Sequence, residues 1–239
     1  MPTPFLRLST EGDGKTVRKL LHMAHEDIPD DKAARLANAV GNGKQGDCDQ
    51  LVFTSRKRGI SVKTNSYFSL RIADSGTGRV AGCVYAGAPI SWILEQKLSM
   101  DHRQLLTQRL VEIQLMAVLE RFRHRGLGSL LLTDCERRYR ERGYTTSMLI
   151  TSPKASPLLV PWYEKHGYVF EDPDESYHVR FWRDRGATSQ FHHIQDGQRV
   201  GFKALGKPAT VGLEPEAVNH PGRSVPLSYH RPVAAGVLD

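Results

Sequence analysis

The sequence predicts an α/β fold, and three observations support this prediction. Residues 111–132 have the order of a strand, a tight basic turn with two glycines, and a helix. Residues 66–73 and 79–86 read as strands joined by a short turn that contains Gly, Asp and Ser, as in a hairpin. Residues 145–151 read as a strand after the helix, so the helix is expected to connect two parallel strands.

The N-terminal part is predicted to hold one short strand and two helices. Residues 4–8 read as the strand, and residues 16–25 read as a helix because their apolar side chains recur at helical spacing. Residues 31–40 read as a second helix, which the preceding Pro-Asp pair could start. Residues 50–54 fit either a strand or a turn of helix, and the sequence leaves both open.

The central strand is predicted at residues 111–118, because apolar and polar side chains alternate there. A carboxylate is seldom placed among apolar residues of a central strand without a partner or a function, so Glu112 is a functional candidate. The alternation assigns the side chains to two faces, with Val111, Ile113, Leu115 and Ala117 on one and Glu112, Gln114, Met116 and Val118 on the other.

The turn at residues 123–128 combines positive charge with a backbone that an anion can approach. Arg123 and Arg125 supply the charge, and Gly126 and Gly128 have no Cβ to keep an anion away. The first turn of the next helix has unpaired N–H groups and the positive end of the helix dipole. We therefore expect a phosphate site that suits a pyrophosphate; the alternative is a surface turn with solvated arginines.

Later segments complete the element assignment. The helix after the turn is expected to end at Gly143, and residues 91–110 also have helical spacing. A helix near residues 158–166 is expected to be interrupted by Pro161, and from residue 184 the chain reads as loop-rich. The apolar side of the helix after the turn is assigned to Leu127, Leu130, Leu131 and Cys135.

Two motifs in the expected order resemble those of the GNAT (Gcn5-related) N-acetyltransferases. The Arg-x-x-Gly-x-Gly pattern that begins at Arg123 resembles the acetyl-CoA signature of that family. Residues 159–168 resemble the family's later element, which contains an aromatic-Tyr pair and a Gly-aromatic pair. The resemblance covers roughly residues 5–182 and implies a GNAT fold, with a mixed, mostly antiparallel sheet of six to seven strands flanked by helices.

The resemblance also implies a division of the chain. Residues 1–183 would form the GNAT N-acetyltransferase domain, with a helical insertion at residues 91–109 between its third and fourth strands. Residues 184–239 would form a loop-rich C-terminal extension. The insertion either walls the acceptor site or only packs on the core, and both alternatives stay open.

The resemblance implies acetyl-CoA as the cosubstrate. In this family the strand before the signature hydrogen-bonds the pantetheine arm, and the turn holds the pyrophosphate. Ser156 stands where the family usually has an Asn. The implied cofactor-binding residues are Met116, Ala117, Val118, Arg123, His124, Arg125, Gly126, Leu127, Gly128, Ser129 and Ser156.

Two residues match catalytic positions of the family. Glu112 matches the catalytic glutamate of the histone-acetylating members and would act as general base, directly or through water. Tyr163 matches the general acid that protonates the leaving CoA thiolate. A backbone N–H near Val118 would stabilise the oxyanion. The alternatives are a salt-bridged Glu112 and a Tyr163 that only packs.

The acceptor is expected to be a primary amine of a cationic small molecule. In the family the acceptor site is lined by the loop after the first helix and by a turn between the last strands. Both segments are acidic here, and they could attract a cation. The predicted substrate-binding residues are Glu26, Asp27, Asp30, Glu171 and Asp172.

Composition restricts the functional classes and the location that the chain can have. Lys and Arg number 33 against 26 for Asp and Glu. We attribute this balance to an anionic cofactor and a solvated surface rather than to nucleic acid. No apolar run reaches the ~20 residues that span a bilayer, and no secretory signal is evident, so we expect a cytoplasmic protein. An acceptor on aminoacyl-tRNA or a protein, a non-catalytic acyl-CoA-binding module, and a homodimer stay open as alternatives.

No metal is expected. His22 and His25 share a predicted helix face, but no third ligand accompanies them, so solvated histidines are the better interpretation. Cys48, Cys83 and Cys135 are widely spaced and form no Cys-x-x-Cys pair. This usage favours a reducing compartment over a zinc site.

Overall fold

The computed structural model describes residues 3–24, 47–48, 51–55, 60–64, 68–90, 93, 100–151, 156–170, 177–183, 186–192, 198–205 and 211–215. The strands are β1 (Phe5–Leu8), β2 (Asp47–Cys48), β3 (Leu51–Ser55), β4 (Ile60–Thr64), β5 (Phe68–Asp74), β6 (Val80–Gly87), β7 (Leu110–Val118), β8 (Thr146–Thr151), β9 (Val169–Phe170), β10 (Tyr177–Arg183), β11 (Gly186–His192), β12 (Arg199–Ala204) and β13 (Val211–Pro215). The helices are α1 (Gly14–Ala24), α2 (Met100–Arg109), α3 (Leu127–Glu141) and α4 (Leu159–Lys165).

The chain divides into two compact units. The first unit comprises Met1–Ala88 and Glu112–Glu141, and the second comprises Pro89–Val111 and Arg142–Asp239. In the first unit four strands follow one another in the order β1-β5-β6-β7, and each neighbouring pair is antiparallel. β2 pairs with the start of β5, and β3 and β4 form a separate antiparallel pair.

Both faces of the first unit's sheet are covered. Every residue of β6 is buried, α1 packs on β6, and α3 packs on β5 and β6. α1 contributes Val17, Leu20 and Leu21 to this core. The predicted helix at 16–25 therefore exists but begins two residues earlier, and the predicted hairpin of residues 66–86 is confirmed. The predicted helix at 31–40 lies outside the described residues.

The apolar side of α3 differs from the prediction at one position. Leu127, Leu131 and Cys135 are buried as predicted, but Leu130 is 41% exposed and Leu132 is buried in its place. The helix turns by about 100° per residue, so Leu130 and Leu132 lie symmetrically on either side of Leu131, and helical spacing alone could not decide which of the two is buried.

In the second unit β12 lies between β8 and β9 and is antiparallel to both. β10, the strand predicted at residues 177–182, pairs instead with β11 and β13. The segment after residue 184 was expected to be loop-rich, and this expectation is wrong for β11, β12 and β13. β12 buries only Val200, Gly201 and Phe202 of its six residues, a signal too short to stand out in a Gly- and Pro-rich segment.

The predicted insertion contains α2, and its last residues are anchored. The Thr145 N–H donates to the Arg109 carbonyl oxygen over 3.0 Å, and Nη1 of Arg109 donates to the Gly143 carbonyl oxygen over 2.8 Å. The buried Tyr144 hydroxyl donates to the Thr107 carbonyl oxygen over 3.0 Å. These bonds hold the end of α2 to the segment before β8, and a role for the insertion in the acceptor site stays a prediction.

A buried ion network fixes the start of the first unit. Nη1 and Nη2 of Arg7 donate to both carboxylate oxygens of Asp13 over 2.7 and 2.9 Å, and Nε donates to Asp74 over 3.1 Å. Asp74 also accepts the N–H groups of Gly76 and Gly78, which closes the β5–β6 turn. Burial would raise the pKa of Asp13, but the hydrogen bonds from Arg7 and Thr10 lower it below its usual value.

We expect Arg7→Met to lower the free energy of unfolding by about 2 kcal/mol, because it leaves two buried carboxylates without their cation. Arg7 itself keeps 21% of its side-chain exposure, which places the effect below that of a fully buried pair. Urea unfolding would measure the change. Arg137→Met is the matched control, since Arg137 also contacts two carboxylates but is 48% exposed, and it should change stability far less. Equal effects of the two variants would contradict this assignment.

Candidate cofactor and active site

The 123–128 turn connects β7 to α3 and is held at both ends by buried side chains. Leu119 ends the strand side with 9% exposure, and its N–H donates to the Ala81 carbonyl oxygen over 2.8 Å. Leu127 begins the helix with 3% exposure. Residues 123–126 between them are exposed. The sequence therefore presents an open backbone segment between two fixed points.

The backbone of this turn takes conformations that few residues adopt. His124 has φ 58° and Gly126 has φ 74°, both in the left-handed region. A short 3₁₀ helix at Glu120–Phe122 precedes the turn, and the Leu130 N–H donates to the Gly126 carbonyl oxygen over 2.9 Å to start α3. A Cβ at Gly126 would meet nothing within 4 Å, so the space beside this backbone is open.

The arginines in and just before the turn contact neighbouring groups of the protein. Nε of Arg123 donates to the Val118 carbonyl oxygen over 3.2 Å, which bends this side chain back to the end of β7. The guanidinium groups of Arg121 and Arg125 lie 4.9 and 5.9 Å from the ring centre of Phe122. Positive charge is thus held around the first turn of α3, where an anion is favoured.

A bulge in β7 corrects the predicted face assignment. Tyr85 lies opposite Leu115, but the next residue, Ala86, lies opposite Ile113, so Gln114 is the extra residue. Residues opposite each other in neighbouring strands share a face. Because positions 82, 84 and 86 alternate along an unbroken strand, Ile113 shares a face with Met116 and Val118.

The bulge therefore changes where Glu112 points. Glu112 lies opposite Gly87, which places it on the face of Leu115 and Ala117 and not with Met116 and Val118 as predicted. It is only partly buried, and it has interaction partners in the structure. A simple two-residue alternation could not show this, since one extra residue reverses the face of everything before it.

The N–H groups at the end of β7 have a defined direction. Successive N–H groups of a strand point to alternate edges, and the Leu119 N–H points to β6. The Val118 and Met116 N–H groups consequently point to the other edge of β7. The role of a backbone N–H near Val118 as the oxyanion donor stays a prediction.

Tyr163 lies in the second unit, in an aromatic cluster at the end of α4. It is 6% exposed, and its ring centre is 4.8 Å from Trp162 and 5.4 Å from Tyr168. The Tyr168 hydroxyl is 2.7 Å from the Ser147 hydroxyl, which ties this cluster to β8. Packing thus fixes the Tyr163 ring.

Pro161 does not interrupt α4, contrary to the prediction. It is the third residue of the helix, where a backbone N–H has no partner within the helix in any case. The Trp162 N–H still donates to the Leu158 carbonyl oxygen over 3.1 Å. Ser156 is exposed, and its hydroxyl accepts the Leu158 N–H over 3.3 Å at the start of this helix.

The remaining predicted site residues divide into two groups. His124 and Arg125 are exposed, while Gly128 and Ser129 are partly exposed in the first turn of α3. The predicted acceptor residues lie outside the described residues: Glu26, Asp27, Asp30, Glu171 and Asp172. In the part of the chain that the structure describes, no group of three or more His, Cys, Asp and Glu is placed to hold a metal.

One feature beside the turn was not predicted from the sequence. An open groove of about 540 Å³ is lined by Lys19, His22, Met23 and Arg123. The signal available in the sequence was the helical spacing of Lys15, Lys19 and His22, which puts three basic side chains on one side of α1.

Comparisons with known proteins agree with this architecture. A profile of the Acetyltransferase (GNAT) family matches residues 46–168, about half of the chain. The chain therefore belongs to the GNAT acetyltransferase family, and the predicted fold class is confirmed. A search of the curated proteins found no match. Over the described residues, no helix is long and apolar enough to cross a membrane.

Two solved structures show the same fold at low sequence identity. A GNAT superfamily phosphinothricin acetyltransferase from Sinorhizobium meliloti, solved with acetyl-CoA, is 14% identical, with a TM-score of 0.50 over 85% of this chain and 89% of that one. An N-acetyltransferase from Staphylococcus aureus Mu50 is 11% identical, with a TM-score of 0.50 over 85% of this chain and 99% of that one.

We expect Gly126→Ala to lower the free energy of unfolding by about 1 kcal/mol, because alanine is disfavoured at φ 74°. Steric overlap does not contribute, since the added Cβ meets nothing within 4 Å. Gly12→Ala is the control: that position is equally open and has no positive φ, so its effect should stay within about 0.5 kcal/mol. Thermal or urea unfolding would compare the two, and a neutral Gly126→Ala would contradict the described turn.

Proposed function

We propose that the chain is an acetyl-CoA-dependent N-acetyltransferase whose acceptor is a primary amine of a cationic small molecule. The observation that carries the proposal is the 123–128 turn, which combines an open backbone, two arginines and the first turn of a 15-residue helix. The turn fits a pyrophosphate chemically, because N–H groups and guanidinium groups are the donors that phosphate oxygens prefer. The acetyl-CoA in the Sinorhizobium meliloti structure supports the same cofactor here.

Each part of the site would hold a different part of the cofactor. Residues 126–128 and Arg123 would hold the pyrophosphate, and the Val118 and Met116 N–H groups would bond the pantetheine arm. Acetyl-CoA supplies an acetyl group activated as a thioester. The protein's own tasks are to hold both substrates, to accept a proton from the amine, and to donate one to the departing sulfur.

Glu112 would accept the proton of the acceptor. An alkyl ammonium with a pKa near ~10 is almost fully protonated at pH 7, so forming the neutral amine costs about 4 kcal/mol. A carboxylate oxygen of Glu112, directly or through water, would take that proton. The bulge at Gln114 supports this role, because bulges often re-aim a side chain beside an active site.

Tyr163 would donate a proton from its hydroxyl to the leaving sulfur. Its ring is fixed by Trp162 and Tyr168, so the position of the hydroxyl is determined by packing rather than by a flexible loop. A backbone N–H near Val118 would stabilise the negative oxygen as the amine attacks. The two acidic segments that hold Glu26, Asp27 and Asp30 and Glu171 and Asp172 would attract the cationic acceptor, which is the sequence-based part of the proposal.

We expect Glu112→Gln and Tyr163→Phe to lower kcat by about 10²–10⁴-fold, because each removes one proton transfer and keeps the side-chain shape. CoA release would be followed with a thiol reagent across small cationic amines, basic peptides and charged tRNA, and acetyl-CoA binding would be measured in parallel. Binding should persist in both variants.

Glu141→Gln and Tyr144→Phe are the matched controls. Glu141 is exposed at the end of α3, and the Tyr144 hydroxyl donates to Thr107, so neither belongs to the proposed site. Both should retain the wild-type rate. Binding of acetyl-CoA without turnover on any acceptor would contradict the enzyme proposal and favour a binding module. Turnover only with charged tRNA or peptides would contradict the small-molecule acceptor.

A further inference from the structure

Apart from Arg123, the residues that line the basic groove beside the cofactor turn have no role in the function proposed above. Its lining combines three cationic or titratable side chains with one thioether: Lys19, His22, Arg123 and Met23. Three of these residues belong to α1 and the fourth begins the 123–128 turn. At about 540 Å³ the groove falls within the usual size range of small-molecule sites.

The α1 side of the groove is separate from the helix's core side. The core side holds Val17, Leu20 and Leu21, whereas Lys19 is exposed and His22 is partly exposed. Lys15 and Arg18 are also exposed on the same helix. The α1 residues that line the groove therefore lie outside the helix's core side, and α1 carries further positive charge near the groove.

The groove lies beside the part of the chain that is assigned to the cofactor. Nε of Arg123 bonds the carbonyl oxygen of Val118, so the groove lies at the C-terminal end of β7. The cofactor can reach the groove, because its pyrophosphate is assigned to the turn to which Arg123 belongs.

The lining matches the nucleotide end of that cofactor. Beyond the pyrophosphate, CoA carries an adenosine with a phosphate monoester on its ribose. A phosphate monoester approaches two negative charges near neutral pH and is held well by ammonium and guanidinium groups. Met23 is 37% exposed and offers a polarizable apolar contact for a purine ring.

We propose that Lys19 and His22 bind the ribose phosphate of CoA, next to the pyrophosphate held by Arg123, with the adenine against Met23. This inference rests on the proposed function, because it assumes CoA on the turn. It gives α1 a part in selecting the cofactor, in addition to the part that the 123–128 turn plays. The consequence is discrimination between CoA and dephospho-CoA, which lacks only this phosphate.

Calorimetric titration of the full chain with CoA and with dephospho-CoA tests the proposal. The wild type should bind CoA at least about tenfold more tightly, as expected for charge-assisted bonds to one phosphate. Lys19→Met and His22→Gln should each weaken CoA binding and leave dephospho-CoA binding unchanged, so that the preference falls toward one. The wild-type preference should also decrease with added salt.

Lys15→Met is the matched control, one helical turn before Lys19, exposed, and absent from the groove lining. It removes the same charge from α1 and should keep most of the preference. Equal binding of CoA and dephospho-CoA by the wild type would overturn the groove assignment alone. So would a Lys19→Met variant that weakens both ligands equally. Binding of neither ligand would overturn the proposed function, and this inference with it.

Discussion

The structure depends on a turn that must stay open while both of its ends are buried. Leu119 and Leu127 enter the core of the first unit, and residues 123–126 between them remain exposed. Without these anchors the left-handed backbone at His124 and Gly126 would have nothing to hold it, since such conformations persist only where surrounding packing determines them. The geometry of the proposed anion site therefore depends on the core on either side of it.

Close packing of β6, β7 and α3 supports this turn. A Cβ at Gly82 would lie 2.7 Å from the Ala117 carbonyl oxygen and 3.3 Å from a methyl group of Leu131. Only glycine lets the strand and the helix approach each other at this point. The bulge at Gln114 then places Glu112, two residues earlier, on the opposite face from the one that strict alternation along β7 would give. The proposed cofactor contacts of β7 and the candidate base thus come from one strand, and the bulge between them reverses the face of the residues that precede it.

Elements with strong local signals could be predicted from the sequence. The β7–turn–α3 order, the β5–β6 hairpin and the helix end at Gly143 each rest on periodicity or on residues with restricted backbone preferences. The family assignment followed from two motifs in the right order and is confirmed. Acceptor identity had no comparable signal, because it was inferred only from acidic loops.

What could not be predicted depends on pairing between distant segments. The bulge is a property of the β6–β7 register, which cannot be read from the sequence of either strand alone. β12 is short, and its partner β8 lies 48 residues earlier, so local pattern gave no reason to expect it. Pro161 was misjudged because its effect depends on whether the helix begins two residues or ten residues before it. The groove required α1 and the turn to meet in space.

Amide hydrogen exchange with and without CoA tests the central claim most directly, because it reports on the individual N–H groups assigned to the cofactor. Saturating CoA should slow exchange in residues 124–130 and at Met116 and Val118, and should leave the β5–β6 turn at residues 74–78 unchanged. Binding of CoA with no slowing at the turn, or with slowing confined to other segments, would contradict the assignment of the 123–128 turn as the pyrophosphate site.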